Sequence, residues 1–274
     1  MQSSTTHRLL LEPKSLGDAL TMMRDEGPVT PLAGCTDLYV SLNFGTLKET
    51  RFLNLWRLNA LRAIEVRKNV LSIGALATFT DIMRSPAVRK RLPMLVAASR
   101  EVGGVQIQNR GTIGGNIANG SPAGDTLPVF AAVDAVVVTR SASGERRIPF
   151  VEFYSGYRTT VLRPDELIVA VEVPAVPGTQ WFRKVGTRAA QAISKVVIAA
   201  VRSESPRVAL GSVGPVVVRA RMAEQALAAG QGIEAAVAAL QAEITPIDDV
   251  RSTAEYRRAV AGNLLRQCWM QASG

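Results

Sequence analysis

The chain has 274 residues, 47% of them hydrophobic and 20% charged, the composition of a globular protein long enough to divide into two or three units with buried cores. Its net charge of +9 is dispersed: the longest basic run is Arg89-Lys90-Arg91, with few aromatics to interleave, which argues against a nucleic-acid module. No apolar run approaches the roughly 20 residues of a membrane span, and the first residues lack the plan of a signal peptide, so the expectation is a cytoplasmic protein with no membrane span.

In chain order, Ser15–Arg24 places Leu16, Ala19, Leu20 and Met23 at helical spacing, with Ser15 as N-cap and Gly27-Pro28 as stop. Val29–Ala33 reads as a strand, Gly34–Asp37 as a turn and Leu38–Leu42 as the start of a helix. That order points backbone N–H groups at an anion, although it is not the G-x-G-x-x-G turn of a nicotinamide-binding doubly wound domain. Arg51–Leu55 is a strand, and Ile64–Arg67 with Val70–Ile73 makes a hairpin across Lys68-Asn69. Helices are expected over Thr78–Met83, capped by Thr78 or Thr80, and over Met94–Val102 after Pro93. Ala135–Thr139 and Arg146–Pro149 form a hairpin over Ser143-Gly144, and Glu166–Val173 is a strand ended by Pro174 and Pro177. Pro174–Gly178 is the best domain boundary by its turn formers. Beyond it, Ala192–Arg202 and Arg207–Val213 read as paired strands, followed by helices over Arg219–Ala229, Ile233–Glu243 and Ala254–Met270.

One stretch stands apart. Gln106–Asp125, QIQNRGTIGGNIANGSPAGD, combines glycines at 111, 114, 115, 120 and 124 with Asn109, Asn116 and Asn119. Ile113 and Ile117 punctuate it, so it reads as a structured loop and not as a linker. From the residues alone it is either a ligand-cradling loop, whose N–H groups form an anion nest, or a structural Gly-rich turn. Two cysteines, Cys35 and Cys268, are too few for a disulfide scaffold or an iron–sulfur cluster. The single histidine, His7, sits in the first residues, which argues against His-based acid–base catalysis and against zinc. No catalytic side chain and no metal ligand is expected, and redox chemistry would need a borrowed cofactor.

The run G-T-I-G-G-N-I-A-N-G-S-P-A-G-D-T-L-P from Gly111 resembles the second flavin-binding signature of the FAD subunits of molybdenum hydroxylases, the xanthine dehydrogenase, carbon monoxide dehydrogenase and aldehyde oxidoreductase type. Ala33-Gly34-Cys35-Thr36-Asp37-Leu38 resembles the first signature. Phe182–Gly186 with Ala192–Val196 resembles the opening of the family's C-terminal domain, and the segment from Ile73 is also similar. Three pieces in order across nearly the whole chain make the match specific. It implies an α+β architecture: a two-subdomain FAD-binding fold of the vanillyl-alcohol-oxidase/PCMH type over residues 1–178, with subdomains of about 1–60 and 61–178, and an antiparallel sheet-and-helix domain over 179–274.

The resemblance also implies a site. Pro31, Leu32, Ala33, Gly34, Cys35, Thr36, Asp37 and Leu38 would line the pyrophosphate and isoalloxazine, with Thr36 near the ring; otherwise Thr36 and Asp37 are a helix-capping pair. Gly111, Thr112, Ile113, Gly114, Gly115 and Asn116 would wrap the pyrophosphate from the other side through their N–H groups. Asp125 would accept from ribose or ribityl hydroxyls, or else cap the helix beginning near Thr126. Val102 offers only apolar contact where some members carry an aromatic ring against the adenine. Ile168 and Lys184 match positions that touch the flavin ring region; their alternatives are a core strand residue and a solvated edge-strand lysine. Cys35 replaces a glycine or asparagine, at a cost of order 1 kcal/mol if the position needs φ > 0. As a thiol it would be reactive or merely packed. Gln108 replaces a basic residue of many members.

The implied function is an FAD-carrying electron-transfer subunit. It would take electrons from the 2Fe-2S clusters of a cysteine-rich small subunit, supplied in turn by a large molybdenum-cofactor subunit, and pass them to NAD or another acceptor. The rivals are a stand-alone FAD-dependent oxidoreductase and a flavin-binding module without turnover.

Overall fold

The structure, a computed structural model, describes residues 8–271; His7 lies outside the described residues. The first unit holds β1 (Leu9–Leu11), α1 (Leu16–Asp25), β2 (Thr30–Leu32), α2 (Leu38–Asn43) and β3 (Arg51–Asn54). Its strands form a parallel sheet in the order β1-β3-β2. Helix α1 is capped as its sequence predicts: the Ser15 hydroxyl accepts the Asp18 N–H at 3.1 Å, and Ala19, Leu20 and Met23 face inward.

The second unit runs through β4 (Ile64–Arg67), β5 (Val70–Gly74), α3 (Phe79–Arg84), α4 (Pro86–Arg91), α5 (Pro93–Glu101), α6 (Val105–Gln108), α7 (Ile113–Asn119), α8 (Leu127–Ala132), β6 (Val136–Ser141), β7 (Gly144–Pro149), the short pair β8 (Tyr154–Gly156) and β9 (Thr159–Thr160), and β10 (Leu167–Val173). Its antiparallel sheet is ordered β4-β5-β10-β6-β7. Both faces are covered, so alternate residues serve different cores. Val137 and Val171 pack under the helices of this unit, while Val138, Leu167 and Val169 pack against α1 of the first unit. A register shift between Ile168 and Ala170 lets Val169 and Ala170 share the first unit's side. Thr78 closes a capping box with Asp81 at the head of α3, so of the two expected caps Thr78 is the one used. The β6–β7 turn is Ala142-Ser143, one residue before the expected Ser143-Gly144, because Gly144 already pairs with Ser141.

The third unit contains β11 (Thr179–Val185), β12 (Val196–Arg202), β13 (Arg207–Gly211), β14 (Val218–Arg219), α9 (Arg221–Ala228), α10 (Ile233–Glu243) and α11 (Ala254–Gln271). Its antiparallel sheet, in sequential order, lies between α9–α11 on one side and α5 and α8 of the second unit on the other. This explains the unbroken apolar run of β12: Ile198 and Ala200 face the third unit's helices, while Ala199 and Val201 join the second unit's core. Polar contacts fasten the seam. The Asp134 carboxylate accepts from Arg207 at 3.0 Å and Arg219 at 2.6 Å, and Arg219 also pairs with Glu224. The whole is an α+β fold in which three units share two interfaces.

Candidate functional site

A cleft of about 1020 Å³ opens where the three units meet, at the upper end of the roughly 300–1,000 Å³ of small-molecule sites. Strand β2 delivers its first wall: Pro31, Leu32, Ala33, Gly34, Cys35, Thr36, Asp37 and Leu38 all line it. Cys35 has φ 63°, a left-handed conformation that reverses the chain before α2 and costs a non-glycine residue roughly 1–2 kcal/mol. Its thiol donates to the Ala33 carbonyl at 3.4 Å, and burial pushes the thiol pKa up, against the opposing charge of Arg110. Among the described residues, nothing accepts a hydrogen bond from the N–H groups of Gly34, Cys35, Thr36, Asp37 or Leu38. Nor is Thr36-Asp37 a capping pair, since the Asp37 side chain makes no cap bond. Consecutive unpaired donors at the head of a helix form a cradle for an anion.

The second wall crosses the first backbone to backbone. A Cβ on Gly34 would stand 1.7 Å from the Arg110 carbonyl oxygen, so only glycine fits there. Beyond Arg110 the structure departs from the expectation of a loop with free N–H groups, because residues Ile113–Asn119 are the helix α7. Of the donors from Gly111 to Asn116, all but that of Thr112 are already used: Gly111 to Ile107 at 2.6 Å, Ile113 to Ala77 at 3.0 Å, Gly114 to Ala75 at 2.8 Å and Asn116 to Thr112 at 3.0 Å, all carbonyl oxygens. The Gly115 N–H donates to the capping Thr112 hydroxyl at 3.2 Å. Gly111, Thr112, Gly115 and Asn116 therefore line the cleft as surface, not as a second N–H nest. Ile113 and Gly114 face the other way. Ile113 is fully buried, and a Cβ on Gly114 would lie 2.7 Å from that of Ala75, so glycine here lets α7 dock on the β5–α3 connection.

Asp125 lines the cleft just before α8, but its side chain does not cap that helix. Its Oδ2 accepts from Lys184 Nζ at 2.7 Å, while Oδ1 is buried with no protein partner. Desolvation raises the Asp125 carboxyl to about 6, with Lys184 opposing. Lys184 also donates to the Glu101 carbonyl at 3.0 Å; it is thus an interior cation behind the cleft wall and not a solvated edge lysine. Val102 lines the cleft with Gly103, Gly104 and Ile107, and with Gln191, Ala192 and Ile193 of the third unit. Ile168 does not reach the cleft; it packs in the second unit's core. Gln108 is buried, its amide donating to the Arg100 and Val102 carbonyls at 3.2 Å each, which anchors the end of α5. Sequence reasoning missed Arg158, Arg163 and Gln191, which come to the cleft from turns without periodicity or motif; Ala192 and Ile193 fall in the segment similar to the opening of the family's C-terminal domain, but their place on the cleft was not foreseen.

Three comparisons bear on this arrangement. Residues 4–176 match the family model of the FAD binding domain in molybdopterin dehydrogenase, and residues 181–272 that of the CO dehydrogenase flavoprotein C-terminal domain. The carbon monoxide dehydrogenase medium chain of Hydrogenophaga pseudoflava is 31% identical, across 93% of either chain. The glyceraldehyde dehydrogenase medium chain of Sulfolobus acidocaldarius is 30% identical, across 95% of this chain and 96% of its own length. A solved carbon monoxide dehydrogenase from Hydrogenophaga pseudoflava superposes with a TM-score of 0.90 at 30% identity, over 95% of both chains.

Proposed function

The chain belongs to the family of FAD-binding subunits of molybdopterin dehydrogenases, and from that premise we propose that its cleft holds FAD as a relay between a partner's iron–sulfur clusters and an acceptor such as NAD. The observation that carries the reading is the row of unpaired N–H groups from Gly34 to Leu38, beside the orphaned Asp125 Oδ1. The donors suit a pyrophosphate, and the carboxylate oxygen suits a hydroxyl of the ribityl or ribose chain. When bound, FAD supplies a ring that takes up and gives up electrons; the protein binds, orients and electrostatically tunes it.

In this reading Pro31–Leu38 form the anion cradle and Gly111, Thr112, Gly115 and Asn116 the facing wall. Ile113, Gly114 and Ile168 support that wall from the core. Asp125 holds a cofactor hydroxyl, with Lys184 fixing the carboxylate from behind. Val102 and Ile193, both on the cleft, offer apolar contact to a ring. Residues 1–178 act as the FAD-binding domain and 179–274 as the C-terminal domain that closes over it.

The chain's two cysteines cannot build a cluster, so 2Fe-2S centres must come from another polypeptide, a cysteine-rich small subunit, and the organic substrate is oxidised on a large molybdenum-cofactor subunit. Gentle affinity purification of the native assembly, with iron and molybdenum measured per flavin, tests the proposal. Both metals should co-purify with the flavin. A homogeneous metal-free flavoprotein that oxidises its own organic substrate would overturn it.

A further inference from the structure

Trp56 lies just beyond β3, outside every motif that marked the cleft. Its backbone N–H donates to Asn54 Oδ1 at 3.1 Å, and its backbone carbonyl accepts from Arg62 Nη2 at 2.9 Å. Arg62 Nη1 reaches the Leu76 carbonyl at 3.0 Å, so the Trp56 backbone is tied on both sides and Arg62 is held beside it. Two guanidinium groups stack on the ring: that of Arg62 at 4.1 Å from the centroid and that of Arg110 at 3.8 Å. Arg110 is otherwise exposed, and no carboxylate of the described residues pairs with it. Its backbone is the one that crosses Gly34, and its charge reaches the Cys35 thiol.

We propose that Trp56 is a positioning residue for the cleft: its indole face holds Arg110, and through the Arg110–Gly34 crossing it keeps the two walls in register. This rests on the reading of the cleft as an FAD site, and it adds a residue that never touches the cofactor. The link depends on a π face, because a guanidinium is attracted to the ring quadrupole. A side chain that merely fills the same space leaves Arg110 free to swing out. The Gly34–Leu38 donors then lose the backbone that presses them into one orientation.

The test compares Trp56→Phe, which keeps a π face, with Trp56→Leu, which does not. Full-length chain is stripped of flavin and titrated with FAD. Trp56→Leu should weaken binding on the order of 5- to 10-fold and Trp56→Phe by much less, as expected for a cation–π contact. Arg110→Met should weaken binding as Trp56→Leu does, and the double variant should lose little more, since the two act as one unit. A second readout does not involve the cofactor. The pH profile of iodoacetamide labelling at Cys35 should shift upward in Trp56→Leu and stay near wild type in Trp56→Phe; Cys268, only 1% exposed, is shielded. Should Trp56→Leu fail to fold, Arg110→Met carries both readouts. Wild-type FAD affinity together with an unshifted Cys35 profile in these variants overturns the inference. If the wild-type chain binds no FAD, the cofactor reading fails, while the Cys35 profile still decides whether Trp56 holds Arg110.

Discussion

Lys184 Nζ lies 2.7 Å from Asp125 Oδ2, with only 5% and 9% of the two side chains exposed, so the third unit places a buried cation directly behind a carboxylate of the cleft. The pair joins β11 to the turn before α8 and couples domain docking to the shape of the site. Removing one member leaves the other charged and dry, which is costlier than never having the pair. Lys184→Met should therefore destabilise the chain by about 3–5 kcal/mol. Lys184→Met combined with Asp125→Asn should recover part of that loss. Denaturant unfolding of the single and double variants measures both, and equal stability of Lys184→Met and wild type would show that the pair is not under load.

The same pair has a pH signature. Desolvation raises the Asp125 carboxyl to about 6, above its ordinary value of 3.8, so between those values the folded chain binds more protons than the unfolded one. The contribution of this group to stability is then full below pH 4 and lost as pH rises through 6. Asp125→Asn cannot titrate. The unfolding free energy of wild type minus that of the variant should fall with rising pH across this window, by on the order of 3 kcal/mol. A difference that stays flat would contradict the raised value.

Three glycines separate packing from binding. Gly34→Ala puts a methyl group against the Arg110 carbonyl and should part the two walls, with loss of flavin and of stability. Gly114→Ala meets Ala75 at 2.7 Å and should cost about 1–3 kcal/mol as overpacking of the α7 contact. Gly115 is exposed on the cleft, and a Cβ there meets only the Thr112 hydroxyl at 3.0 Å. Gly115→Val should therefore keep its circular dichroism while losing flavin. Normal flavin content in Gly115→Val would refute its place in the binding wall.

Much of this was legible because local and tertiary preferences agree. The helix α1 follows its apolar spacing, and the Lys68-Asn69 hairpin turn carries left-handed residues at φ 46° and 67°. The helix α7 was hidden by its own Gly114-Gly115 pair, which lowers helix propensity; docking on Ala75 overrides that preference. Strand β11 shows no clean alternation, since half-buried residues dominate it. In the site, strand, glycine and helix in succession marked Gly34–Leu38 as a turn with free backbone N–H groups, and those groups have no acceptor among the described residues. The Lys184–Asp125 pair was not legible, since 59 residues separate its members and neither carries a local signal. Gly114 shows the limit from the other side: a glycine inside a binding signature can serve packing alone.

Cys35 offers a test of backbone strain at the cleft. Replacing it by glycine removes a left-handed non-glycine residue, a relief of roughly 1–2 kcal/mol, against roughly 0.5–1 kcal/mol of added chain entropy in the unfolded state. Cys35→Gly should therefore be as stable as wild type or up to about 1.5 kcal/mol more so by denaturant midpoint, with flavin retained. Loss of flavin in this variant would give the thiol a direct part in holding the cofactor.

On this reading the cleft is built for a dinucleotide flavin. The decisive measurement is the flavin released from the native complex by heat or acid and resolved by chromatography. FAD equimolar with the chain is the predicted result, because the unpaired Gly34–Leu38 donors call for a pyrophosphate that FMN lacks. FMN alone, or no flavin from an intact complex, would contradict it.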